Sequence, residues 1–150
     1  LFQFGKFVRW PVRSHVSSNA FTICVLGEDP FRETLDRILE GETFDGKRPA
    51  IRRVRRVQAT GDCRMVFISV SEKARLREIL EGVKEKNILT VSDIEGFSRL
   101  GGMIELVLDD ERVRFEVNLD ATTKAGLELS SELLKVARVV RRSPPPPRGA

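Results

Sequence analysis

The chain has 150 residues, enough for one domain with a real core. Apolar residues make up 41% and charged residues 32%, a globular balance, and no apolar run approaches the roughly 18 residues that cross a bilayer as a helix. The net charge of +4, from 26 basic and 22 acidic residues, is too mild to point by itself to nucleic acid.

Leu1 opens the chain in place of a methionine, so a processed or trimmed piece is expected, which a signal peptide can have preceded. In residues 1–10, Phe4, Phe7 and Val8 fall at helical spacing with Trp10 close by, and Pro11 ends that helix. Core packing explains this aromatic stripe better than a cofactor box, with a dimer seam as the alternative for Phe2 and Phe4. Residues 14–19 read as a polar loop. Residues 21–26 (FTICVL) read as a strand buried on both faces. Asp29 is placed to cap the next helix and Pro30 to open it. Phe31, Leu35, Ile38 and Leu39 share one face of that helix, and Gly41 ends it.

A strand is expected over residues 50–57, with Ile51, Val54 and Val57 as its apolar positions, and a turn over 59–62. Residues 65–70 are a second buried strand. Ser71 caps a helix carrying Leu76, Ile79, Leu80 and Val83, and residues 88–91 are a third buried strand. Strands alternating with helices argue for a parallel α/β sheet.

The pattern then changes. Residues 94–100 read as one or two helical turns, followed by a sharp turn at Gly101 and Gly102. Residues 103–108 and 112–118 form an antiparallel hairpin, with Asp109 and Asp110 as its two-residue loop. Asp120 caps a helix that breaks near Gly126. A final helix starts at Ser130 or Ser131, with Leu133, Leu134, Val136, Ala137 and Val140 inside. Arg141, Arg142 and Ser143 lead into four prolines, a tail expected to be disordered.

Little in this chain points to catalysis. His15 is the sole histidine and sits in a polar loop with no second ligand near it, whereas zinc sites want three or four His, Cys or carboxylate ligands. There is no GxSxG elbow, no GxGxxG or Walker-type loop and no tyrosine. Neither cofactor nor metal is expected. Arg52, Arg53, Arg55 and Arg56 form a basic cluster. It reads as a phosphate patch or as charge that protects a strand edge, and the lack of interleaved aromatic residues favours the edge. Cys24 and Cys63 lie in or beside two expected strands, 39 positions apart. A bridge closing such a loop is worth about 4 kcal/mol in the chain-entropy model, while two buried free thiols are the alternative, and composition leaves both open.

In residues 112–118, Val113, Phe115 and Val117 alternate with Arg112, Arg114, Glu116 and Asn118. One side of that strand is apolar and the other is a row of charged and amide groups. Glu116, with Glu105 opposite, is read either as part of a cross-strand ion pair on a wet face or as part of a recognition patch.

The stretches FGKFVRWP, FTICVLGEDPF, CRMVFISVSE and ILTVSDIEGFSRLGGMIELVLDDERVRFEVNLDATTKAGLELSSELLKVARVV resemble the YfiR-like family over residues 1–140. The resemblance implies a periplasmic α/β domain, often a homodimer, that binds the periplasmic sensor domain of an inner-membrane diguanylate cyclase and holds it inactive. In the family, redox or envelope stress releases the hold and raises cyclic-di-GMP. The resemblance also implies a Cys24–Cys63 disulfide. Other members carry further cysteines that this chain lacks, so a redox-sensing second bridge does not carry over.

The expected architecture is a three-layer α/β/α sandwich. Its mixed sheet has parallel βα units followed by a C-terminal antiparallel hairpin, with the domain over residues 1–140 and the tail over 141–150. The expected function is non-enzymatic repression of the cyclase. Met103, Ile104, Glu105, Arg114, Glu116 and Asn118 are the partner-binding patch, and neither nucleic acid nor membrane insertion is involved. Charge reversal at Glu116 is expected to weaken the complex and spare the fold. The alternative is a small-molecule sensor using the crevice at residues 27–31, ahead of a nucleic-acid binder and, last, a hydrolase.

Overall fold

The structure, a computed structural model, describes residues 2–11, 20–30, 33–44, 46–84 and 86–142. His15, Phe31 and the proline run lie outside the described residues. A 3-10 turn at Phe2–Lys6 leads into β1 (Val8–Arg9), then β2 (Ala20–Leu26), α1 (Glu33–Leu39) and β3 (Arg48–Val54). A 3-10 turn at Val57–Thr60 precedes β4 (Met65–Ile68). Another at Val70–Arg75 runs into α2 (Leu76–Val83) and β5 (Leu89–Ser92). After an irregular turn come β6 (Ile104–Asp109), β7 (Arg112–Asn118), α3 (Leu119–Lys124), β8 (Glu128–Leu129), α4 (Ser131–Val136) and β9 (Val139–Arg141).

The main sheet has the order β3-β2-β4-β5-β6-β7-β9. Neighbours run parallel from β3 to β6, β7 turns back antiparallel, and β9 lies parallel to β7. Alternation along β2 explains the three layers, because successive side chains point to opposite faces. Phe21, Ile23 and Val25 enter a cluster with Leu35 and Leu39 of α1 and with Phe4 and Phe44. Cys24 and Leu26 enter the other cluster, with Leu76, Ile79 and Val83 of α2. The α/β/α sandwich and the C-terminal hairpin are therefore as expected. Cys24 and Cys63 form a disulfide on the α2 face, with their Cα atoms 6.0 Å apart.

Several elements differ from the expectations. Residues 2–10 do not form an α-helix. Gly5 packs so closely on the Phe21 and Phe44 rings that the segment hugs the sheet as a 3-10 turn, and β1 then pairs with β8 in a small separate ribbon. Val57 leaves β3 and packs at the start of a 3-10 turn. Ser69, not Ser71, caps the segment before α2, while the Ser71 hydroxyl accepts from the Glu28 amide. Asn118, not Asp120, caps α3. Asp29 binds the Arg53 guanidinium at 2.5 Å, while residues 31–32, on which its expected capping role bears, lie outside the described residues. The hairpin loop is Asp110 and Glu111, one residue later than expected. Both have positive φ (51° and 66°), the geometry of a type I′ turn made without glycine.

The largest difference is at the C-terminal end. Ser130 caps α4 as expected, but the helix stops at Val136. The Arg138 amide then donates to the Phe115 carbonyl, and β9 extends the sheet beside β7. Arg141, assigned from sequence to the tail, is the last residue of that strand. β-Branched Val139 and Val140 suit an extended edge strand.

Candidate functional site

The C-terminal hairpin presents two unlike faces, set by its register. Cα partners across the pair are Ile104 with Val117, Leu106 with Phe115, and Leu108 with Val113. On the opposite face they are Glu105 with Glu116 and Val107 with Arg114.

The polar face is not the open row that alternation implied. Glu105 and Glu116 are only 6% and 8% exposed, and Met103 and Ile104 are buried as well. The Glu105 carboxylate accepts from the Gly96 amide (3.1 Å), the Ser98 amide (2.9 Å) and the Ser98 hydroxyl (3.1 Å). The Glu116 carboxylate accepts from Arg141 Nη2 at 2.8 Å and pairs with Arg138 Nη1 at 3.9 Å. Arg141 Nε also donates to the Ser98 hydroxyl at 3.1 Å. Asn118 Nδ2 donates to the Ser98 carbonyl at 2.8 Å, while Asn118 Oδ1 accepts from the Ala121 amide. The Asn118 amide donates to the Met103 carbonyl at 2.8 Å.

Ser98 is therefore the hub of a closed network. It ties the turn before β6, the two hairpin strands, β9 and the start of α3 to one another. Buried charges of this kind are tolerated because each carboxylate is hydrogen-bonded. The exposure assigned from sequence to Met103, Ile104, Glu105 and Glu116 is absent: residues 96–98 and the Arg138 and Arg141 side chains enclose the two carboxylates, while Met103 and Ile104 pack into the apolar core with Val117. Of the six patch residues, Arg114 is exposed and Asn118 is half-buried.

The apolar face reaches solvent instead. Near the sheet centre it is core, with Phe115 against Phe4 at a centroid distance of 5.1 Å, edge to face. Toward the tip the cover ends, and Leu108 is 74% and Val113 63% exposed although both are large and apolar. Val113 and Arg114 share an open groove of about 550 Å³ with Phe4, Phe7, Leu106 and Leu133. Phe7 is also exposed. The groove is an apolar floor with one guanidinium on its rim, an arrangement found where proteins bind one another. The sequence carried the signal, since Val113 and Leu108 continue the apolar alternation past the point where any other element could cover them.

The arginine cluster divides. Arg52 makes a two-pronged pair with Asp62 at 2.8 and 3.2 Å. Arg53 pairs with Asp29 at 2.5 Å and Asp36 at 3.2 Å, and the hydrogen bond it donates to Asp29 raises the guanidinium's pKa. These two decorate the edge strand. At the expected small-molecule crevice, Gly27 (φ 95°) is packed against Ser71 and Glu72 so tightly that a Cβ would overlap both. Among the described residues no group of three or more His, Cys, Asp and Glu could hold a metal ion. No helix of the described residues is long and apolar enough to cross a membrane.

A family model described as YfiR/HmsC-like matches residues 1–138. Among solved structures, an ABC domain from Streptococcus pneumonia in complex with L-Trp is similar, with a TM-score of 0.57 and 10% sequence identity. The match covers 80% of this chain and 55% of that one, so the chain spans little more than half the length of that structure. At that identity the likeness is one of fold.

Proposed function

The chain belongs to the YfiR/HmsC-like family, regulatory periplasmic proteins that act on a membrane signalling partner, and on that premise we propose that it represses an inner-membrane diguanylate cyclase by binding the enzyme's periplasmic sensor domain. The observation that carries the reading is the outer half of the hairpin. Leu108 and Val113 stand in solvent at the end of an apolar face, with Arg114 at its rim. Apolar anchors beside a guanidinium are the residue types on which protein interfaces depend most.

The docking surface in this proposal is Leu108, Val113, Phe7 and Arg114. Met103, Ile104, Glu105, Glu116 and Asn118 hold it in shape from beneath. A protein that works by occupancy requires no nucleophile and no general base. It requires a rigid scaffold, which the Cys24–Cys63 bridge helps to supply, and a lever that alters affinity. The proposal includes a homodimer and assigns the lever to a ligand or to partner geometry, with the disulfide mainly structural.

The test is cellular. Removing the protein from its host should raise cyclic-di-GMP, and restoring the wild type should lower it again. An unchanged level in both directions would rule out the repressor reading.

A further inference from the structure

Arg55 and Arg56 follow directly on Arg52 and Arg53, yet the fold treats them differently. The first pair is neutralised by Asp62, Asp29 and Asp36 on the sheet edge. Neither Arg55 nor Arg56 has an ion-pair partner among the described residues. Both line a cleft of about 320 Å³ at the C-terminal end of the parallel strands, with Leu26 of β2 as part of its floor. Arg75 and Glu72 form another wall, and Gln58 and Glu78 complete the polar lining.

The position has meaning in this topology. β2 is followed in sequence by β3 on one side, and the chain then crosses to β4 on the other. Open α/β sheets bind ligands outside the carboxyl ends of the strands where the order reverses in this way. At Gly27 the crevice is shut by Ser71 and Glu72, and the Glu28 amide donates to Ser71. Beside that point, between residues 55–58 after β3 and the start of α2, a cleft stays open.

The lining selects the chemistry. Guanidinium groups match the paired oxygens of a phosphate or carboxylate. A bare anion gains little here, because two carboxylates share the cleft. Glu72 is buried and held by Arg75, and Glu78 is exposed. Those carboxylates and the Gln58 carbonyl are acceptors, and a ligand that satisfies them brings hydroxyl donors. The apolar contribution is too small for an amphipathic body. We propose that this cleft binds a small polyhydroxylated anion, a sugar phosphate or sugar acid, with the oxyanion on Arg55 and Arg56 and the hydroxyl groups on Glu72, Glu78 and Gln58. The inference is independent of the docking surface on the hairpin, and it moves the expected small-molecule site from Gly27 to the β3 side of the same sheet end.

Calorimetric titration of the intact protein tests it, with glycerol phosphate and gluconate as probes and glycerol and inorganic phosphate as controls. At least one hydroxylated anion should bind, about tenfold or more tighter than either control. The double variant Arg55→Ala/Arg56→Ala should lose about tenfold or more of that affinity with an unchanged melting temperature, since both residues are exposed. Glu78→Gln removes a like charge and a hydroxyl acceptor together, so it should narrow the preference for glycerol phosphate over inorganic phosphate. No binding of either hydroxylated anion overturns the proposal, as does equal affinity for inorganic phosphate or wild-type affinity in the arginine variant.

Discussion

Glu105 and Glu116 face each other across the β6–β7 pair, both buried, and each is neutralised by a different part of the chain. Glu105 is held by the amides and hydroxyl of the 96–98 turn, and Glu116 by Arg138 just before β9 and Arg141 at its end. The pair joins two neighbouring connections to one hairpin and thereby fixes the base from which the hairpin tip projects.

Glu116 should therefore be a stability residue. Glu116→Gln leaves Arg141 with a weaker acceptor and should cost about 1–3 kcal/mol. Charge reversal with lysine places three cations together and should cost more, contrary to the sequence expectation that the fold would be spared. Urea denaturation measures both. A Glu116→Lys protein as stable as wild type would show that the network contributes nothing.

The disulfide should behave as a staple. Reducing Cys24–Cys63 frees a loop of 39 residues, worth up to about 4 kcal/mol in the chain-entropy model. For a chain of this size that corresponds to a fall in melting temperature of roughly 5–15 °C. Thermal denaturation with and without reductant gives the value, and mass spectrometry of unreduced peptides checks the pairing. Coincident melting curves would contradict the role.

Gly102 should admit no side chain. A Cβ there would overlap the Phe97 ring, which is fully buried. Gly102→Ala must displace that ring within a packed core and should cost about 1–3 kcal/mol. Chemical denaturation of the variant is sufficient, and unchanged stability would show that Phe97 has room to move.

The parallel core was legible because β4 is a continuous apolar run and β2 and β5 are apolar apart from Thr22, Thr90 and Ser92, a pattern that fits short strands buried on both faces. The hairpin strand Arg112–Asn118 was legible to the residue, through its strict alternation. The C-terminal end was not. Leu133, Leu134, Val136, Ala137 and Val140 satisfy a helical period, but pairing with β7 and the Arg141–Glu116 contact are non-local and override it. For the same reason alternation separated the two faces of β7 without revealing what covers each. The charged face is closed by the 96–98 turn and the Arg138 and Arg141 side chains, and the apolar face is the one left open at the tip.

The most direct test replaces Leu108 and Val113 by aspartate and measures binding of the purified protein to the isolated periplasmic sensor domain of its cyclase. Both side chains are largely in solvent, so the melting temperature should hold within the range of ordinary surface substitutions, about 0.5 kcal/mol in stability. Affinity should fall by at least about tenfold. A correctly folded double variant that binds the sensor domain as tightly as wild type would contradict the account.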